Sequence, residues 1–275
     1  MSATIVTGSR PSAVGLPPRS PGLYRLIVSW QHPTQRGIYP VGVLSFDGAS
    51  YEYAYLENVR DVPDFRPLLG LEDIDTRYRS SQLFPVFAQR VMDLRRPDYS
   101  RYVTSLGLDP TSTTPWEQIS RSGGRRQGDT LQLFPEPLVH AGQVSCTFLV
   151  HGIRHIPGAE RVLDGRQTVV SAEEVEATLT RLRPGDHLTL LHEPDNAYNR
   201  EALVAADEGR VPLGYVPNLL VRDIHRLRSI TDVRVTVVQT NPADAPSHLR
   251  LIARLDADDA GDFTFFQEPY WRLLA

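Results

Sequence analysis

Short apolar runs, each cut off within a few positions by proline, glycine or asparagine, recur from LYRLIVSW near residue 23 to LRLIARLDA near residue 249. Runs of this length suit strands better than long helices. In VGVLSFDGASYEYAYL two of them flank Asp47-Gly48, a strong hairpin signal because the pair tolerates the left-handed backbone that a tight turn demands. The spacing predicts an antiparallel start to the fold.

Helical spacing appears next. SSQLFPVFAQRVM places Leu83, Val86, Phe87 and Val91 on one face if Pro85 sits in the first turn, PDYSRYVTSLGL ends at Gly107, and PWEQISRSGG begins at Pro115 and closes on Gly123-Gly124. These read as three short helices with proline near the start or glycine past the end. PEPLVHAGQ then breaks the pattern, which sets a domain boundary between Pro137 and Gln143. Beyond it, VSCTFLVHGI, DHLTLLHEP, EALVAA, VPLGYVP, DVRVTVVQT and LRLIARLDA read as strands, and NLLVRDIHRLRS carries Leu220, Ile224 and Leu227 as one helical stripe. The expected class is α+β: an N-terminal hairpin sheet with short helices, then a β-rich, barrel-like module with one or two helices. The expected organisation is a flexible leader over 1–22, an α+β domain over 23–137, a second domain over 146–257 and a tail over 258–275.

Composition limits the partners. With 41% hydrophobic and 23% charged residues the chain has the makeup of a globular protein. A net charge of −4 disfavours non-specific wrapping of duplex DNA, although a few arginines and aromatic faces can still grip one or two nucleotides. All 29 cations are arginine, which we read as genomic composition bias. A lone cysteine, Cys146, excludes an internal disulfide. With no export signal at the N-terminus and no apolar stretch near the ~20 residues needed to span a bilayer, a cytoplasmic setting is expected.

The segments HGIRHIPG, LLHEPDNAYNREALVA and LGYVP occur in an order and spacing that resemble the HIRAN family: a Gly-x-Arg-aromatic turn, an Asn-Pro-Tyr-Asp-type turn between two strands, and a Gly-His or Gly-Tyr strand. The resemblance spans roughly Phe148 to Leu255. It implies a module that holds the free 3′ end of single-stranded DNA, with Arg154 and His155 from the first turn, Asn196, Tyr198 and Asn199 from the central turn, and Tyr215 from the strand forming one pocket. Aromatic faces stack on a base for ~1–3 kcal/mol, an arginine forks onto phosphate, and an amide both accepts from and donates to a terminal hydroxyl. His155 stands where the family has tyrosine, Asn199 where it has aspartate, and Pro217-Asn218 where some relatives have lysine, which implies weaker end binding or a changed ligand. Read from composition alone, EPDNAYNRE is also what any inter-strand loop needs. Arg222 and Arg226, with Arg228, form either a solvated helix face or a phosphate track.

The first half, from YPVGVLSFDGASYEYAYL to SGGRRQGDT, is similar to the N-terminal subdomain of HipA-type proteins, which implies a docking surface for a protein partner over 23–137. Arg125 and Arg126 in SGGRRQGD are further candidates for phosphate, though the spacing is not that of a Walker loop. No kinase catalytic loop, GxSxG or HExxH appears, and Asp109, Glu117 and Asp129 make no defensible nuclease spacing. The expectation is a non-enzymatic, bacterial-type binding protein without metal or cofactor, serving DNA repair, stress response or phage defence. The alternative is an antitoxin-like adaptor that binds protein and not DNA.

Overall fold

The computed structural model of the protein describes residues 24–35, 37–126 and 130–274. The leader expected over 1–22 and Asp129 lie outside the described residues. Strands β1 (Tyr24–Gln31), β2 (Ile38–Phe46), β3 (Tyr51–Tyr55) and β4 (Tyr78–Ser80) are followed by helices α1 (Pro85–Ala88), α2 (Tyr99–Ser105) and α3 (Pro115–Ser122) and by strand β5 (Leu131–Pro135). The five strands form one antiparallel sheet in the order β4-β3-β2-β1-β5. Successive side chains on a strand face opposite sides. Accordingly Leu26, Val28 and Leu44 pack with Tyr53, Tyr55 and Phe87, while Ile27 and Val43 enter a second apolar cluster. Burial on both faces accounts for the unbroken apolar run in β1.

The Asp47-Gly48 hairpin forms, with Phe46 opposite Tyr51 and a four-residue loop. The Asp47 carboxylate accepts from the Ala49 and Ser50 amides at 2.8 and 2.7 Å, and these bonds hold it below the usual carboxylate range. Of the three expected helices, α1 is cut to a single turn: Pro85 is its first residue, where its missing amide costs nothing, and its ring bars any extension upstream. Helix α3 has a full capping box between Thr114 and Glu117 and ends on Gly123 at φ 67°.

The second half comprises β6 (Leu138–His140), β7 (Gln143–Leu149), β8 (Arg161–Leu163), β9 (Arg166–Thr168), α4 (Ala172–Arg181), β10 (His187–His192), β11 (Leu203–Ala206), β12 (Pro212–Tyr215), α5 (Asn218–Arg228), β13 (Val233–Thr240) and β14 (Leu251–Ala257). Seven of these strands make an antiparallel sheet in the order β12-β11-β10-β13-β14-β7-β6, and β8-β9 is a separate hairpin. The Pro137–Gln143 stretch, expected as a break, instead carries β6, turned onto β7 through Ala141 and Gly142 at φ 49° and 75°. Just past β7, His151 exchanges backbone hydrogen bonds of 2.8 and 2.7 Å with Tyr215 of β12. That bridge joins opposite flanks of the sheet and curls it into a half-barrel. Helices α4 and α5 cover its interior with Val175, Leu179, Leu220, Ile224 and Leu227. The molecule is thus α+β with a β-rich second module, as expected.

The two halves of the chain pack against each other through β5 on β7, through Leu106 and through the residues after β14. Leu106 after α2 joins Leu149, Leu249 and Ile252 of the second sheet. Residues after β14 run back to the first sheet: Glu57 donates to the Arg272 carbonyl (2.8 Å), Leu274 to that of Tyr55 (2.9 Å), and Leu56 bridges Leu273. This return segment lays Phe266, Trp271 and Leu273 over Ile27, Val43, Leu56 and Phe134, with Leu219 of α5 beside them.

Candidate functional site

Three segments far apart in sequence meet where the half-barrel closes. Gly152 adopts φ 68° and opens a 3-10 turn over Ile153–His155. A β-carbon there would lie 3.2 Å from the Tyr215 ring, so the glycine lets the turn lie against β12. Gly214 answers a tighter demand, since a β-carbon on it would stand 2.6 Å from the His151 carbonyl oxygen. The two glycines of the motif therefore permit the close backbone approach that joins the first turn to the Gly-Tyr strand.

The link between these segments is Arg161, a residue the sequence reading did not single out. Its Nη1 donates to the carbonyls of Ile156 (2.7 Å) and Ala159 (3.0 Å), its Nη2 to that of His155, and its Nε to the Tyr215 hydroxyl at 3.1 Å. Nε also lies 3.5 Å from Oε1 of Glu193, and both side chains are 8% exposed. The other Glu193 oxygen accepts from Asn196 Nδ2 at 2.6 Å. One buried ion pair thereby ties the first turn, the Tyr215 strand and the central turn into a single bonded unit, satisfying the guanidinium with carbonyls and a carboxylate as burial requires. Burial raises the Tyr215 phenol above its ordinary value, with the Arg161 bond opposing that shift.

Local bonds shape the central turn. Asn196 Oδ1 accepts from the amides of Tyr198 (3.0 Å) and Asn199 (3.1 Å), and Asn199 Oδ1 from that of Glu201 (2.9 Å). These side-chain-to-backbone bonds fix residues 194–200 as an open cup between β10 and β11. Asn199 Nδ2 donates to Asn218 Oδ1 at 3.1 Å, which binds the cup to the start of α5. Below it, His225 of α5 meets the Glu201 carbonyl at 2.9 Å and His192 meets that of Arg200 at 2.7 Å. Tyr198 is different: its ring is 95% exposed. Arg154 and His155 are also exposed and bonded to each other, Nε to Nε2, at 3.0 Å.

The four further arginines lie elsewhere. Arg222 pairs with Glu268 at 2.7 Å, and Arg226 with Asp223 and Gln267 while lying 5.0 Å over the Phe263 ring. Both are engaged by the return segment or its own helix. Arg126 donates to Gln89 at 2.8 Å, and Arg125 lines a cavity between the two sheets. Burial pushes the Cys146 thiol up to about 12, so it stays protonated at neutral pH. Among the described residues no cluster of His, Cys, Asp and Glu could hold a metal ion, and no helix is long and apolar enough to cross a membrane.

No family model matches the chain, and no curated protein does. Two solved structures resemble part of it. A structural-genomics protein from Lactobacillus plantarum is 20% identical, covering 42% of this chain and 97% of its own, at a TM-score of 0.31. The HIRAN domain of human HLTF is 14% identical, covering 43% of this chain and 79% of its own, at a TM-score of 0.26.

Proposed function

We propose that the second module binds the free 3′ end of single-stranded DNA at the surface formed by Arg154, His155, Asn196, Tyr198, Asn199 and Tyr215. The observation that carries this reading is the Arg161–Glu193 pair, which gathers all three motif segments while leaving the Tyr198 ring in solvent. A rigid base beneath an exposed aromatic face suits stacking on one nucleotide. Exposed Arg154 suits the adjoining phosphate as a charge-assisted contact. Because Arg222 and Arg226 are paired with carboxylates, the grip is short, on a terminal nucleotide and its phosphate rather than along a strand. The first unit, residues 23–137, is proposed to dock a protein partner, a role that rests on its resemblance to HipA-type subdomains.

The test compares a short fluorescent single strand ending in a 3′-hydroxyl with the same strand ending in a 3′-phosphate, by anisotropy at one stated low salt. Tighter binding of the hydroxyl form is expected, and Tyr198→Ala should weaken it by ~1–3 kcal/mol with an unchanged melting temperature. Equal binding of both strands would sink end recognition. Absence of binding to either favours the protein adaptor.

A further inference from the structure

The two sheets enclose a cavity of about 20 Å³, lined by Arg121 and Arg125 near the end of α3, Phe134 of β5, Leu149 of β7 and its neighbour His151, and Leu220 of α5. Most of its wall surface is apolar, and its polar lining residues are Ser120, Gln132, Thr147 and His151 besides the two arginines. Arg121 is 7% exposed, and its Nη1 has no hydrogen-bond acceptor. The nearest acid along the helix, Glu117, is engaged by the Thr114 amide and hydroxyl, each at 2.8 Å, in the capping box and makes no hydrogen bond to Arg121. Among the described residues no carboxylate forms an ion pair with Arg121. A buried guanidinium without a counter-charge is costly, and arginine does not escape by releasing its proton in the ordinary pH range. Burial pulls its value down from the ordinary one, with nearby Arg254 adding to that and Glu117 opposing it. Arg125 adds a second positive residue to the same wall.

We infer that this cavity is a binding site for one small monovalent anion of chloride size, held by the Arg121 guanidinium between the two sheets. The volume suits a single particle about the size of a water molecule or a chloride ion. Because the wall is built from α3 and β5 on one side and β7, α5 and β14 on the other, the bound ion fastens the two sheets together. None of the six residues proposed to hold nucleic acid lines this cavity.

The thermal unfolding midpoint of the full chain, measured in sodium chloride and in sodium gluconate at equal ionic strength, tests this. Chloride is expected to raise the midpoint in proportion to the logarithm of its concentration once above its dissociation constant, by about 5 °C at roughly a hundred times that constant, and gluconate is not. Equal rises in both salts, or none in chloride, overturn the proposal. Arg121→Met keeps the side-chain length and removes the charge; the chloride-specific rise should vanish, and its persistence would equally defeat the assignment. Should that variant fail to fold, the chloride NMR line width with wild-type protein decides: broadening reversed by added bromide supports the site, and a width equal to that of protein-free buffer refutes it.

Discussion

Arg161 sets the expected behaviour of the site at the scale of single residues. Replacing it with methionine leaves Glu193 as a buried carboxylate without its cation, and truncating one member of such a pair costs about 3–5 kcal/mol. The double change Arg161→Met with Glu193→Gln should recover much of that loss, because no lone charge remains. Urea unfolding of the two single variants and the double variant measures the coupling, and simple additivity would mean that the pair is not the organising contact. Asn196 was legible from the sequence because its partners are the amides two and three positions on. Arg161 was not, because its hydroxyl partner on Tyr215 lies 54 residues away and nothing local distinguishes it from the other arginines. Arg222 and Arg226 illustrate the same limit: the polar face of α5 was visible, but the carboxylate and ring that occupy it come partly from the return segment.

Among the elements, the junction of β7 with β12 governs closure of the half-barrel. Gly214→Ala puts a β-carbon 2.6 Å from the His151 carbonyl and 2.7 Å from Val150, so β12 must shift away and the paired bonds of the His151–Tyr215 bridge weaken. The expected cost is about 1–3 kcal/mol, as for other overpacked interiors. It should come with faster hydrogen exchange at the amides of His151 and Tyr215, and unchanged exchange there would show that the closure does not depend on the glycine. Strands with strong alternation were readable in advance, as were helices framed by proline and glycine. Helix α4 was missed: its buried face is only Val175, Thr178 and Leu179, and its valine and threonines are weak helix formers. Strand β6 was missed because three residues between a proline and an Ala-Gly turn look like a linker until β7 pairs with them.

For the whole molecule, the contact between the sheets carries a pH signature. Burial, with Arg125 close by, pulls His151 down to about 3 and His248 to about 4 from an ordinary 6.5. From about pH 6.5 down to about pH 4 the unfolded chain therefore takes up protons that the folded protein refuses, and stability falls as pH is lowered through that window, the His151 share continuing to about pH 3. Unfolding midpoints across it should decline, with the slope reduced in a His151→Gln, His248→Gln double variant; a profile as steep in the variant as in the wild type would assign the effect elsewhere. How the sheets meet was not legible in the sequence, since Ile27, Val43 and Phe134 look like ordinary core residues of the first sheet alone. Their cover is made of Phe266, Trp271 and Leu273, and this has a consequence for biosynthesis. A ribosome completes the first sheet about 130 residues before it reaches those aromatic residues, so one apolar flank of the nascent chain stays bare over that interval and offers chaperones a surface until Phe266 and Trp271 are made.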